Sequence, residues 1–295
     1  MKRKINLVGQ NTLTVSLPSK WAQKYGLKKG DEVEVVEKGR VLILNQENEA
    51  LLGEKVVDLS SVKTFSRRMI MMPYIHGYDV IRVQFKDKEI LYKIKENMVF
   101  FLGFELVEET ETSCVIKNIA KGIESEFLTM VNRLLYVVST MGKELYDALD
   151  KNDLESLQRI RENEDVANKL NIFCRRMLNI KGSQDKRETT TAYAINCYLE
   201  AATDAYKDIC LLVYENKIKI SKKLLAFLKL ILEQIKLFLE MYHKFDVKDI
   251  MRMKELEKEI LESYNALNLK YDEMIIAGHL IRAHFSIRHA TEELE

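Results

Sequence analysis

From Ile5 to Leu17 apolar and polar residues alternate. Ile5 and Leu7, then Leu13, Val15 and Leu17, fall on one face, and Gly9-Gln10-Asn11 between them supplies a turn. The pattern predicts a β-hairpin. Pro18 then ends the alternation and, at the first helical position, opens a short helix that stops at Gly26. Val33 and Val35, followed by Val41 and Ile43 across Lys38-Gly39, predict a second hairpin. Four short strands and one short helix bury little surface alone. Residues 1–46 are therefore expected to need a second chain or a neighbouring domain.

The pattern changes twice more. Residues 47–118 read as strand, helix, strand, helix and a closing strand pair, a small α/β domain with Pro73 in its first helix. Over 119–295 the apolar spacing becomes helical and stays so: Leu134, Val137, Val138, Met141, Leu145, Leu149, then Leu154, Leu157 and Ile160. About six long helices are expected there. "DLESLQRIRENE" (153–164) parallels "DVKDIMRMKELE" (246–257), so this zone reads as two three-helix repeats, about 119–216 and 217–295. The fold class expected is multidomain α+β. Its most apolar helix, over 222–242, is interrupted by Lys229, Glu233 and Lys236, which favours a core helix over a membrane span.

Composition changes the picture in one place. The net charge is +1, but residues 1–45 carry nine Lys/Arg against four Asp/Glu, so the positive excess sits at the N-terminus. That points toward a polyanionic partner, with plain solubility of a small lysine-rich domain as the alternative. Cys114, Cys174, Cys197 and Cys210 have neither CxxC nor zinc-ligand spacing and read as buried thiols. Residues 1–12 lack the apolar run of a secretory leader, so a cytoplasmic protein is expected.

One constellation could carry chemistry. Glu200, Asp204 and Asp208 stand at i, i+4 and i+8, three carboxylates along one helix face. A second helix offering Glu162, Glu164 or Asp165 would complete an oxygen-rich site for a hard cation. The competing reading is a solvated acidic face. His279, His284 and His289 recur every five residues, which does not keep one face, and His76 and His243 are isolated. All five read as surface or core-edge histidines, and Trp21 as core packing. No nucleophile elbow, phosphate loop or HExxH is present, so a non-enzymatic role is expected.

"VSLPSKWAQKYGLKKGDEVEVVEKGRVLIL" resembles the AbrB/MazE/SpoVT swapped-hairpin family, in its strand-Pro-helix step, its Gly-Leu after the helix and its Lys-Gly-Asp turn. The resemblance implies a dimeric β-barrel of interleaved hairpins that binds DNA. Arg3, Lys4, Asn11, Thr12, Lys20, Lys24 and Lys28 would face the nucleic acid. Where bacterial members carry an Arg pair on the helix, this sequence has Ala22-Gln23. Lysines neutralise phosphates well but read bases poorly. Residues 119–295 are similar to PhoU-family phosphate-uptake regulators, whose acidic ExxxD motif "LEAATDAYKDI" (199–209) matches. That implies a divalent or iron-type metal ion at Glu200, Asp204 and Asp208 with Glu164 and Asp165. In the second copy, "HFSIRHATE", His284 and Arg288 replace the acids.

Together the resemblances imply an archaeal-type fusion. It would be a cytoplasmic, DNA-binding homodimer or larger assembly that regulates phosphate uptake, its helices sensing or relaying phosphate status. The alternative is an adaptor that modulates a phosphate transporter ATPase or a signalling protein, with the hairpins serving dimerisation only. Neither reading requires membrane insertion.

Overall fold

A computed structural model of the chain describes residues 2–9, 11–38, 41–46, 53–120, 122–180 and 186–295. It is mixed α+β and divides into two compact units, 1–50 and 51–295. The expected boundary at residues 46 and 47 falls where the described residues break off.

In the first unit, β1 (Ile5–Val8) pairs with β2 (Thr12–Val15), and β3 (Val33–Lys38) with β4 (Val41–Gln46), both antiparallel. The two hairpins form separate two-stranded sheets, so the described residues of one chain close no barrel. Between them lies α1 (Ser19–Lys24), one residue later than expected: Pro18 is its N-cap, extended at ψ 122. Gly26, at φ +66, ends the helix, with its own N–H donating to Gln23 O and that of Leu27 to Ala22 O. A left-handed residue is needed there, and glycine adopts it without a Cβ clash. Gln10 and Gly39, read as turn residues, lie outside the described residues.

The second unit starts with β5 (Glu54–Asp58), α2 (Arg68–Ile75), β6 (Val80–Gln84), α3 (Lys88–Asn97), β7 (Phe104–Glu109) and β8 (Ser113–Asn118). This is the expected order, and the strands pair as β5-β6-β8-β7, with only the β5–β6 pair parallel. Six helices follow among the described residues: α4 (Phe127–Lys151), α5 (Leu154–Ile180), α6 (Lys186–Asn216), α7 (Lys222–His243), α8 (Val247–Asn265) and α9 (Tyr271–Glu292). The repeated segment has a physical origin at its first residue. Asp153 accepts from Ser156 N at 3.1 Å and Asp246 from Lys248 N at 3.0 Å, so each copy opens on a capping aspartate. Packing then diverges. α5 lies between α4 and α6, whereas α8 rests on α7, and α9 crosses to pack on α6.

α7 buries Leu224, Phe227, Leu228, Ile231, Ile235 and Phe238 and leaves Lys229, Glu233 and Lys236 exposed. Among the described residues no helix is long and apolar enough to cross a membrane. α4 and α7 approach closely at Gly142, where a Cβ would stand 2.6 Å from Leu232 Cδ2.

The α/β layer is bolted to the bundle through α5. The Arg176 side chain, 2% exposed, donates to Tyr74 O (2.8 Å), Tyr78 O (2.9 Å) and Asp79 Oδ1 (2.6 Å). Its guanidinium lies 5.0 Å from the Tyr74 ring centre and 4.7 Å from that of Phe104. Ile172 joins the α/β core, and Asn179 donates to Ile75 O at 2.8 Å. A buried charge with several acceptors cannot be removed cheaply. Arg176→Met is expected to cost about 3–5 kcal/mol in chemical denaturation. Arg176→Lys should recover little, because an ammonium cannot fork to three separated acceptors.

Candidate nucleic-acid interface and carboxylate seam

The register of β1 and β2 sets Ile5 opposite Val15 and Leu7 opposite Leu13, so four apolar side chains share one face. Asn6, Val8, Thr12 and Thr14 hold the other, with Thr14 Oγ1 donating to Asn6 O at 3.3 Å. The apolar face is open: Ile5 is 69%, Leu7 63% and Leu13 67% exposed. No residue of this unit whose side chain is described is buried. Trp21 stays half-buried, its ring 5.6 Å from that of Tyr25, so the described side chains of this unit do not enclose it as core packing would.

The residues assigned to DNA contact all lie on the surface of this unit. Arg3 and Lys4 precede β1, Asn11 and Thr12 stand at the tip of the first hairpin, Lys20 and Lys24 ride on α1, and Lys28 follows it. Among the described residues none of these cations forms an ion pair. Lys24 Nζ lies 5.1 Å from the Tyr25 ring centre, and the Lys28 N–H donates to Asp31 Oδ2 at 2.7 Å.

The second site is an antiparallel seam between α5 and α6. On α5 the residues Arg161, Glu164, Asn168, Asn171 and Arg175 recur at alternating intervals of three and four. On α6 Tyr193, Asn196, Glu200, Thr203 and Lys207 do the same. This is the spacing by which facing helices meet, here carrying polar groups. At one end Arg175 donates to Tyr193 Oη at 3.0 and 2.9 Å. Next, Asn171 Nδ2 donates to Asn196 O at 2.6 Å and Asn196 Nδ2 to Asn171 O at 3.0 Å, a reciprocal buried pair. At the far end Lys207 Nζ bridges Glu164 Oε1 (2.9 Å) and Asp204 Oδ1 (2.7 Å), while Asn168 donates to Glu164 at 2.6 Å.

The structure thus brings Glu164 and Asp204 together at Lys207, with Glu200 within charge range of both, and takes two expected partners elsewhere. Asp208 turns to α9, 2.6 Å from Arg282 and 3.6 Å from His279. Asp165 is exposed. Among the described residues no three His, Cys, Asp or Glu side chains are placed to hold a metal ion. Glu200 is pushed above the ordinary carboxylate range by burial, then by the Asp204 charge, with Arg175 and Lys207 opposing. Burial pushes Lys207 down, yet its hydrogen bonds to Asp204 and Glu164 outweigh it and hold the ammonium above the ordinary lysine range. Lys207 was not among the residues expected here, since it stands inside a run of acids as their lone cation. The signal was its place in the three-four spacing of α6.

The second copy is built differently. Glu257 on α8 faces Arg288 at 3.8 Å, and Arg288 also reaches Glu292 at 3.1 Å. His284 is fully buried, its Nδ1 3.0 Å from Gln234 Oε1, so the expectation of a surface or edge histidine fails here. An apolar α7–α9 contact encloses it, which the interval of five did not show. Its Nε2 has no partner among the described residues. Burial first, then the Arg288 and His289 charges, pushes its pKa down to about 4. The unfolded chain therefore takes up this proton first as pH falls, and stability drops from about pH 6.5 toward pH 4. Between pH 7 and 5 the loss is about 2 kcal/mol. His284→Asn, which keeps a donor for Gln234, should flatten that part of the urea-denaturation pH profile by the same amount.

Residues 8–49 match the family model of antidote-toxin recognition MazE, bacterial antitoxin. No curated protein and no solved structure matches the chain. The hairpin unit, with its open apolar face and its exposed cations, is thus similar to a bacterial antitoxin domain.

Proposed function

We propose that the chain is a DNA-binding regulator that acts as a homodimer through its hairpin unit. The observation that carries this reading is the β1–β2 face of Ile5, Leu7, Leu13 and Val15. A two-stranded hairpin is marginal in water without something against its apolar face, and a second copy of the same unit supplies it. Exposed Arg3, Lys4, Lys20, Lys24 and Lys28, with Asn11 and Thr12, then serve phosphate and groove contact. The likeness of residues 8–49 to an antitoxin domain supports a regulatory role of this kind.

The six-helix region is proposed as the responding part, taking up phosphate status in the manner of the regulators it resembles. Its support is the repeat opened twice by a capping aspartate, at Asp153 and Asp246. No catalytic role is assigned to any residue.

Two measurements test the reading. Leu13→Asp should convert the dimer to monomer in sedimentation, and an unchanged mass would remove the hairpin face from the dimer contact. In salt-titrated binding to the duplex upstream of its own coding sequence, Lys20→Ala/Lys24→Ala/Lys28→Ala, which removes three cations from each copy of the dimer, should lower the slope of log K against log salt by about 5. Equal binding of target and random duplex would sink specific regulation. A dimer that binds neither duplex but co-purifies with a transporter ATPase would leave the adaptor role.

A further inference from the structure

The resemblance of α6 to an acidic metal-binding motif raises the question of what cation its carboxylates hold. Their donor set does not fit a metal ion as it stands. Hard divalent ions need several oxygens at 2.0–2.6 Å. Here Lys207 Nζ already lies between Asp204 Oδ1 (2.7 Å) and Glu164 Oε1 (2.9 Å). Asn168 presents its amide donor to Glu164, where a metal would need an acceptor. Asp208 is committed to Arg282.

We propose that the Lys207 ammonium is the resident cation of this seam, seated where a divalent ion would otherwise bind and excluding it. Three features favour the tethered cation. Lys207 is one turn from Asp204 on the same helix, so it is held at high effective concentration and loses no translational freedom on pairing. A divalent ion beside the ammonium would meet strong repulsion at about 4 Å in a partly buried site. The seam also closes without further ligands: Glu164 takes donors from Lys207 and Asn168, and Arg175 lies within charge range of Glu200. Removing the ammonium leaves Glu164 and Asp204, which both reach it, with no positive charge between them and the Glu200 charge close by, and that gap is then a cation seat.

The test uses the full chain and Mn²⁺, with bound and free ion separated by electron paramagnetic resonance and folding followed by circular dichroism. The wild type should show no saturable site below about millimolar Mn²⁺. Lys207→Met and Lys207→Gln should each gain one site, at least tenfold tighter. Adding Glu164→Gln or Asp204→Asn to either should abolish it. Should a lysine variant be unfolded alone, Mn²⁺ should restore its helical signal. The proposal is overturned if the wild type binds one Mn²⁺ that Glu164→Gln and Asp204→Asn weaken. It is equally overturned if the lysine variants bind no tighter than wild type, or stay unfolded with Mn²⁺ present.

Discussion

A polar side chain enclosed between two helices must find its partner there, because water cannot reach it to compensate. That constraint governs the α5–α6 contact. Its interlocking positions hold Arg161, Glu164, Asn168, Asn171 and Arg175 against Tyr193, Asn196, Glu200, Thr203 and Lys207. An apolar seam of equal length would tolerate a slip of one turn with modest loss. Here a slip would break the Asn171–Asn196 pair, the Arg175–Tyr193 contact and the Lys207 bridge together. Register is set by hydrogen bonding, as a buried asparagine sets it in a coiled coil.

Because α5 is fixed on that side, the α/β layer is fixed as well. Arg176 follows Arg175 directly and points the other way, into carbonyls of the α2 segment and Asp79. One helix thus holds a polar seam on one face and the bolt to the α/β layer on the other. The second repeat shows what happens without the stripe. At the positions matching Asn168 and Asn171 it has Leu261 and Tyr264, and α8 settles on α7 instead of forming a comparable contact with α9.

Much of this was legible in the sequence, and the reason differs from place to place. Helices α4 to α9 follow from spacing alone, since an apolar stripe every three or four residues has one regular solution. The βαβαββ order followed from alternation and turn residues. The shared face of Glu200, Asp204 and Asp208 was readable from helical spacing, whereas which of Glu162, Glu164 and Asp165 would approach it was not, because that depends on how α5 is rotated against α6. The turn of Asp208 to α9 was not readable either, since its partner Arg282 lies 74 residues on. His284, Gln234 and Arg176 were invisible for the same cause: burial of a lone polar residue depends on which helix crosses it. The hairpin register was readable in part, and the exposure of the β1–β2 apolar face was the expected consequence of the unit's size.

The hairpin unit faces the opposite constraint from the bundle. Where most buried polar groups between α5 and α6 are paired, β1 and β2 leave the face of Ile5, Leu7, Leu13 and Val15 uncovered by the described residues of their own unit. On the proposed reading this couples assembly to nucleic-acid affinity. Each copy presents few cations and, on α1, Ala22 and Gln23 in place of strong phosphate ligands. The logarithm of affinity scales with the number of phosphates neutralised, so joining two copies doubles that number at once. No single lysine has comparable leverage. A change on the face of Ile5, Leu7, Leu13 and Val15, which touches no phosphate, should therefore affect DNA binding more than the loss of any one cation.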